Sequence, residues 1–122
     1  MIKGIGIDII EIHRIILAIN RNNKFLDRVF TAEEKKYFES AGSGAGTIAG
    51  NFAAKEAVLK ALGSGLRQWK WTDVEVRRDC LGKPTVVLYN KAKIFAEEKK
   101  IREILVTISH SRDYAVAQAI AI

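Results

Sequence analysis

The segment 47–62 constrains the fold most strongly, because its composition predicts a helix that is apolar on nearly every side. Gly63 follows it, in the position where a left-handed C-cap commonly ends a helix. At about 100° per residue, Glu56 and Lys60 share one face of this helix, and the apolar residues around them are Phe52, Ala53, Ala57 and Leu59. Such a helix packs inside a core, so we expect both charged side chains to be partly sheltered from solvent.

The flanking segments predict strands on both sides of the central helices, and therefore an α+β fold in which an antiparallel sheet packs against the long helix and shorter helices. Residues 2–9 predict a buried strand, with Ile5, Ile7 and Ile9 in the interior. Further strands are predicted at 71–77, 85–89, 104–109 and 114–120, the first two joined by a turn at 81–84. A shorter helix is predicted at 11–20, and a second short one follows it and ends at Val29. Two more are predicted at 32–40, after a capping box of Thr31 and Glu34, and at 90–100, with Asn90 as cap. Three glycines predict a loop at 41–46.

Length and composition place the chain among ordinary globular proteins. Its 122 residues, 48% of them hydrophobic, predict one domain over 1–122, and a chain this short favours oligomerisation. Cys80 is the lone cysteine, which excludes an intrachain disulfide and fits a reducing compartment. Asp8 and Glu11 interrupt the apolar N-terminal stretch and argue against a secretory signal, so we expect a cytoplasmic protein without a membrane span.

Four ionisable residues together predict a phosphoryl-transfer site. Asp8 and Glu56 supply the hard oxygen ligands that Mg²⁺ prefers, and Lys60 lies one helical turn beyond Glu56, where it could neutralise a phosphate. His110, in a turn between two strands, could donate to another phosphate. Each residue also has a simpler interpretation. Glu56 and Lys60 could form an ordinary i,i+4 ion pair, Asp8 could cap the helix that follows its strand, and His110 could be a solvated turn residue.

The order of four short motifs resembles the signature of holo-acyl carrier protein synthases, single-domain members of the 4'-phosphopantetheinyl transferase superfamily. These motifs are Gly4-Ile-Gly-Ile-Asp8, Phe52-Ala-Ala-Lys-Glu56-Ala-x-x-Lys60-Ala, Gly82-Lys-Pro84 and Ile108-Ser-His-Ser111. The central motif is specific, whereas the other three are weak singly but occur in the expected order. The resemblance covers essentially the whole chain and implies the fold of that superfamily.

The resemblance also implies an activity and a set of site residues. A serine of apo-acyl carrier protein would attack the pantetheine-side phosphorus of coenzyme A and release 3',5'-ADP, for fatty acid biosynthesis. Asp8 and Glu56 would bind Mg²⁺, and Glu56, directly or through a metal-bound water, is the candidate base. The implied coenzyme A-binding residues are Lys60, Gly63, Ser64, Pro84 and His110. Similar enzymes are homotrimers with sites between protomers. One departure is Asn51, where the family usually carries arginine, which puts coenzyme A anchoring in doubt rather than the metal site.

The first helical region predicts a docking surface for an acidic partner. The chain has a net charge of +6 and a pI near 9.6, which favours acidic proteins, nucleic acid, anionic lipid or phosphorylated ligands. Four basic residues occur near apolar Leu17, Phe25 and Leu26: Arg14, Arg21, Lys24 and Arg28. The simpler interpretation is a solvated basic face over core residues. In the resembled family this region docks the acidic acyl carrier protein, with Phe25 as part of the hydrophobic anchor.

Two other classes of protein are compatible with parts of the sequence. A small basic nucleic-acid-binding module would use the positive charge with stacking on Trp69, Trp71 and Phe25. Its basic residues are scattered, however, and it leaves Asp8 and Glu56 without a role. A purely structural oligomerisation module would rest on the apolar helix alone.

Overall fold

The computed structural model describes residues 1–41, 44–63 and 69–122. The elements in chain order are β1 (Gly4–Glu11), α1 (Ile12–Arg21), α2 (Phe25–Val29), α3 (Ala32–Ser40), α4 (Ala45–Leu62), a 3₁₀ turn (Trp71–Asp73), β2 (Val74–Arg78), β3 (Pro84–Leu88), α5 (Asn90–Glu98), β4 (Ile104–His110) and β5 (Tyr114–Ala121). In these ranges, no helix reaches the length and hydropathy of a segment that spans a bilayer.

Local sequence signals place most element ends. The Thr31 hydroxyl accepts from the Glu34 amide at 3.2 Å, and the Glu34 carboxylate accepts from the Thr31 amide at 2.8 Å, so the predicted capping box begins α3. Gly63 ends α4 with φ of 86°, as predicted. Helix α4 begins at Ala45, two residues before the predicted start and inside the glycine-rich stretch.

Two local predictions need correction. The segment predicted as a strand from Trp71 begins with the 3₁₀ turn, and β2 starts only at Val74. Asn90 is the first residue of α5, whereas Tyr89 occupies the cap position. The Asn90 side-chain amide instead donates to Asp73 Oδ1 at 3.0 Å, because this turn lies beside the start of α5.

The sheet topology confirms the α+β class with antiparallel pairing. Strands β1, β5 and β4 form one antiparallel sheet in that order, and β2 and β3 form a separate hairpin. Helix α4 crosses the three-stranded sheet: its C-terminal half lies against β1 and its N-terminal half against β4. The two ends of the chain, β1 and β5, therefore pair directly with each other in the sheet that α4 crosses.

The burial of β1 is the reverse of the prediction. Ile5, Ile7 and Ile9 are 66%, 61% and 64% exposed, whereas Gly4 and Gly6 face α4. The reason is the close approach of the helix backbone. A Cβ on Gly6 would lie 2.0 Å from the carbonyl oxygen of Ala57, so this face of the strand has no room for side chains.

We expect Gly6→Ser to lower the free energy of unfolding by about 1–3 kcal/mol or more, since α4 must move away from the sheet. Gly44→Ser is the matched control, because no described atom lies within 4 Å of a Cβ there and serine is a favoured N-cap. Urea denaturation of both variants measures the difference. Equal stability of the two variants would contradict the close packing.

Lys55, rather than Lys60, is the sheltered cation of α4. Its side chain is fully buried, and its Nζ lies 2.7 Å from Glu34 Oε1. The same Nζ donates to backbone carbonyl oxygens at 2.6–3.1 Å, those of Val29, Trp71 and Val74. Glu34 in turn accepts from the Val76 amide at 2.9 Å. This buried ion pair therefore ties α4 to the end of α2, to α3 and to β2.

Candidate active site

Strand β1 places the first predicted site residue. Asp8 alternates with the exposed isoleucines and therefore points to the α4 side of the sheet, with a side chain 16% exposed. It does not cap the following helix: Glu11 is the N-cap residue of α1, and that cap has no side-chain hydrogen bond. The carboxylate is thus available to the residues of α4 beside it.

Lys60 pairs across the fold with Asp8. Its Nζ lies 3.2 Å from Asp8 Oδ1 and donates to the Ile7 carbonyl oxygen at 2.9 Å. Its side chain is 53% exposed, so the expectation that Lys60 is sheltered is wrong. An ammonium group has three N–H donors. Two of them are directed to β1, which leaves one for a ligand at the open side.

Glu56 lies beside both of these residues. Burial raises the pKa of the Glu56 carboxyl, the negative charge of Asp8 raises it further, and the Lys60 ammonium lowers it. Asp8 is therefore near enough to act on Glu56, although 47 positions of sequence separate them. Two carboxylates held together at a half-buried position, with one ammonium beside them, have an electrostatic reason to bind a cation.

The donor set fits a hard divalent cation. Asp8 and Glu56 offer carboxylate oxygens, which Mg²⁺ prefers over nitrogen and sulfur ligands. The described residues contain no group of three or more His, Cys, Asp or Glu side chains suited to a metal ion. Mg²⁺ commonly binds through one or two carboxylates and completes its shell with water and substrate phosphates. Asp8 and Glu56 are two such carboxylates, so this site has the protein ligands that Mg²⁺ commonly uses.

The structure places His110 and Pro84 together in a second, separate location. They line a cleft of about 200 Å³, together with Tyr37, Gly46, Thr47, Gly50, Arg78, Gly82 and Ile108. The His110 ring lies against the first turn of α4: a Cβ on Gly46 would be 2.9 Å from His110 Nδ1. His110 is the last residue of β4 rather than a turn residue, and it is exposed, as the solvated alternative predicted. It also forms part of the cleft wall.

The other predicted coenzyme A residues lie at the end of α4. Gly63 is exposed, in the left-handed conformation that ends the helix three residues after Lys60. Ser64 lies outside the described residues. Of the predicted set, the structure thus brings Asp8, Glu56 and Lys60 into one group, and Pro84 and His110 into another.

The basic surface of the first helices has a different apolar component from the one predicted. Arg14, Arg21, Lys24 and Arg28 are all exposed. Phe25 is only 9% exposed and packs against other aromatic rings, with ring centroids 6.3 Å from Phe52 and 6.5 Å from Phe30. Its ring therefore belongs to the core and not to the surface. Leu26 is half-buried and packs against the core. Leu17, half-buried and between Arg14 and Arg21 on one helical stripe, is the predicted apolar side chain that remains.

Sequence reasoning missed the partner of Asn51. Arg78 Nη2 donates to Asn51 Oδ1 at 2.8 Å, although the two residues are far apart in sequence. The predicted strand ended at residue 77, so Arg78 fell outside it. The available signal was the pair of adjacent arginines at 77–78, which must point to opposite faces of a strand.

The chain matches a known protein family over nearly its whole length. The model of the 4'-phosphopantetheinyl transferase superfamily matches residues 4–119, and the chain therefore belongs to this superfamily. Within it, the holo-[acyl-carrier-protein] synthase of Alkaliphilus oremlandii is 58% identical over 122 residues, 100% of each chain.

Solved structures confirm the fold. The holo-[acyl-carrier-protein] synthase of Neisseria meningitidis has a TM-score of 0.92 and 34% identity, and the match covers 100% of this chain and 99% of that one. The enzyme of Helicobacter pylori, solved in complex with coenzyme A, has a TM-score of 0.86 and 30% identity, with 97% and 99% covered. The resemblance drawn from the motifs is confirmed. The nucleic-acid-binding alternative receives no support from these matches.

Proposed function

We propose that this protein transfers the 4'-phosphopantetheine group of coenzyme A to a serine of apo-acyl carrier protein, releases 3',5'-ADP and serves fatty acid biosynthesis in the cytoplasm. The observation that carries the proposal is the convergence of Asp8, Glu56 and Lys60 in a member of this superfamily. The exposed free thiol of Cys80 fits the reducing compartment.

Asp8 and Glu56 would hold Mg²⁺, because their carboxylates form the hard oxygen pair at this site. When bound, the ion supplies charge neutralisation for the phosphate oxygens and orients them. Burial raises the pKa of Glu56 and the negative charge of Asp8 raises it further. A cation held by both carboxylates would relieve their mutual repulsion.

The chain's own residues supply positioning and proton transfer. The serine oxygen forms a bond to the pantetheine-side phosphorus while the bridging bond to the second phosphorus breaks. Glu56 accepts the serine proton, directly or through a water, a role for which a raised carboxyl pKa is suited. Lys60, anchored by Asp8 and the Ile7 carbonyl, directs its remaining N–H to the phosphate oxygens of the leaving group. The second phosphorus keeps the bridging oxygen and leaves as the 5'-phosphate of 3',5'-ADP.

The nucleotide end of coenzyme A would occupy the cleft of His110 and Pro84, while Gly63 and Ser64 would line the path of the pantetheine arm. This cleft and the Asp8–Glu56–Lys60 group lie on different sides of α4. Asn51, beside the cleft, and Lys60 are nine residues apart, which at about 100° per residue places them on opposite faces of the helix. A ligand that reaches both is best accommodated between two copies, one of which supplies each half.

The exposed face of the three-stranded sheet supports the same assembly. Ile5, Ile7 and Ile9 project from β1, and the same face continues with Tyr114, 49% exposed, and Leu105, 42% exposed. Exposed polar residues, Gln118, Thr107 and Ser109, also lie on this face. Several large exposed apolar side chains on one face commonly mark a protein–protein interface. We propose that it is covered by further copies in a homotrimer whose active sites lie between protomers.

Ile7→Lys is expected to dissociate the assembly, because it places a charge in the centre of the apolar face. Light scattering coupled to size exclusion should give a trimer for the unaltered protein and a monomer for the variant. Ile94→Lys is the control, since Ile94 is similarly exposed at 55% but lies on α5. A trimeric Ile7→Lys protein would contradict the proposed interface, and loss of activity with dissociation would support shared sites.

The surface of Arg14, Arg21, Lys24 and Arg28 would dock the acidic carrier protein. All four are exposed, and Leu17 gives the surface an apolar element in place of the buried Phe25. Charged surfaces of this kind steer an oppositely charged partner to the site.

Reversal of two of these charges, Arg14→Glu with Arg21→Glu, is expected to raise the apparent KM for carrier protein about tenfold or more. The KM for coenzyme A should not change. Lys91→Glu on α5, with Lys99→Glu just after this helix, gives the same change of net charge at another surface and should have little effect. Steady-state kinetics with each substrate varied in turn measures both. A change confined to coenzyme A would contradict the docking surface.

The transfer itself is tested by mass spectrometry of an apo-acyl carrier protein incubated with the protein, coenzyme A and Mg²⁺. A gain of about 340 Da on the carrier, the mass of one phosphopantetheine group, is the expected result. The gain should disappear with a chelator and return with added Mg²⁺. Absence of the gain with several carrier proteins, at protein concentrations that keep the assembly intact, would refute the proposed function.

A further inference from the structure

The contact between α4 and β1 holds the two elements close together but opposes rotation of the helix only weakly. A Cβ on Gly4 would lie 2.0 Å from the Ala61 carbonyl oxygen, and a Cβ on Gly6 would lie 2.0 Å from the Ala57 carbonyl oxygen. Packed elements are normally fixed by side chains that interdigitate. Here backbone meets backbone between glycines and alanines, so the angle of α4 about its own axis needs other contacts to fix it.

Lys55 holds α4 from the opposite side. Lys55 and Ala57 are two positions apart, which places them about 200° apart around the helix. The Lys55 Nζ has four acceptors on other segments: Glu34 Oε1 at 2.7 Å and the carbonyl oxygens of Val29 at 2.9 Å, Trp71 at 3.1 Å and Val74 at 2.6 Å. An ammonium group has three N–H donors, so all of them are used. These contacts diverge from one buried atom and therefore fix the rotation of α4.

The position of the Glu56 carboxylate depends on that rotation, because Glu56 is next to Lys55 in the helix. A side chain ends about 5–6 Å from the helix axis, so a rotation of about 10° moves it by about 1 Å. Asp8 lies on β1 and does not move when α4 turns. Groups that bind a metal or a reacting atom must be held within about 0.5 Å of the productive geometry. A small rotation of α4 is therefore enough to separate the two carboxylates.

We infer that Lys55 is a positioning residue: its buried contacts set the rotation of α4 and thereby hold Glu56 where it shares one divalent cation with Asp8. This inference rests on the proposed function, in which the two carboxylates bind Mg²⁺. The Lys55 side chain is fully buried on the side of α4 away from β1, so it touches neither the ion nor the substrate. Its effect on the reaction is thus separable from its effect on stability.

The test uses the full-length protein with Lys55→Met and Glu34→Gln together, which removes the contacts of Lys55 without leaving an unpaired buried charge. The control is Val58→Ala, which removes buried volume from the same helix and lowers stability but keeps every contact of Lys55. Both are measured at a temperature at which circular dichroism shows them folded.

At saturating Mg²⁺, we expect the double variant to lower kcat about tenfold to hundredfold, because a displacement of about 1 Å can cost a hundredfold. Its affinity for Mg²⁺, measured by isothermal titration calorimetry without coenzyme A, should fall about tenfold or more, as it does when the supports of metal ligands are removed. Val58→Ala should change each quantity by less than about threefold, as independent sites do.

Retention of either kcat or Mg²⁺ affinity in the double variant would overturn the inference. Equal losses in Val58→Ala would also overturn it, since they would follow from lower stability alone. Should the double variant lose its cooperative melting transition, Lys55→Gln with Glu34→Gln is judged by the same comparison. Glutamine has two N–H donors on a shorter side chain and cannot make all of the contacts of Lys55.

Failure of the inference and failure of the proposed function are distinguishable, because the Mg²⁺ titration needs no transfer. Weaker Mg²⁺ binding by the double variant, with no transfer to any carrier by the unaltered protein, removes the proposed function alone. Transfer by the unaltered protein, with kcat and Mg²⁺ affinity unchanged in the double variant, removes the inference alone.

Discussion

Glu56→Gln and Asp8→Asn are each expected to lower kcat for phosphopantetheine transfer by about a thousandfold or more, while the protein remains folded. Each substitution preserves the shape of the side chain and removes one of the two carboxylates that would bind Mg²⁺. Glu56→Gln also removes the proposed base, whose contribution alone is typically about a hundredfold to ten-thousandfold. The mass gain on carrier protein, followed over time, gives the rate.

The thermal stability of the Glu56→Gln variant gives a second test of the metal site. Burial and Asp8 raise the pKa of Glu56, which means that ionising this carboxyl costs more free energy in the folded protein than in the unfolded chain. Glu56→Gln should therefore leave the melting temperature in metal-free buffer unchanged or raise it, and the variant should lose the additional stabilisation that Mg²⁺ gives to the unaltered protein.

The control for these variants is Glu98→Gln on α5, which removes a carboxylate at an exposed position and should keep full activity. Alanine at either position, Asp8→Ala or Glu56→Ala, should abolish turnover with the fold retained. Magnesium-dependent activity that survives at either position would refute the assignment of the two carboxylates as ligands of one ion.

Lys55→Met is expected to lower the free energy of unfolding by about 3–5 kcal/mol, the range found when one partner of a buried ion pair is removed. Both side chains of the Lys55–Glu34 pair are fully buried at 2.7 Å. The substitution leaves the Glu34 carboxylate without its cation, and it leaves the carbonyl oxygens of Val29 and Val74 without their donor. Domains of this size have small net stabilities, so the variant should be largely unfolded at 37 °C.

A double variant distinguishes loss of the ion pair from loss of volume. Lys55→Met with Glu34→Gln removes both charges, so part of the lost stability should return. Lys60→Met is the matched control, because it makes the same substitution five residues further along α4 at an exposed side chain. It should change the free energy of unfolding by less than about 1 kcal/mol. It should instead reduce the rate of transfer. Similar loss of stability for Lys55→Met and Lys60→Met would contradict the different roles of these two lysines.

The elements whose signals are local could be predicted from the sequence. The capping box of Thr31 and Glu34 set the start of α3, and Gly63 set the end of α4, because each signal acts through hydrogen bonds or backbone angles within a few residues. The four motifs identified the family, which the superfamily match confirms. They also selected Asp8, Glu56 and Lys60, which the fold brings together.

The errors concern contacts between distant segments. The alternation in β1 predicted which residues share a face, but it could not tell which face is buried, and the isoleucines lie on the open one. The helical wheel predicted the face of α4 on which Lys60 lies, but not that its side chain is exposed to solvent. It also did not predict the buried ion pair of Lys55 with Glu34. Phe25 appeared as a surface anchor, since nothing in the local pattern places the ring of Phe52 beside it.

The sequence by itself determined most of the secondary structure, the family and the residue types available for metal and phosphate binding, because these depend on short-range patterns and motif order. Only the tertiary structure decided which lysine is structural and which is free for a ligand, and which face of the sheet is exposed. It also decided that Arg78 pairs with Asn51. The physical reason is the same throughout: burial and pairing are set by the packing of segments that are far apart along the chain, and local periodicity contains no information on the partner.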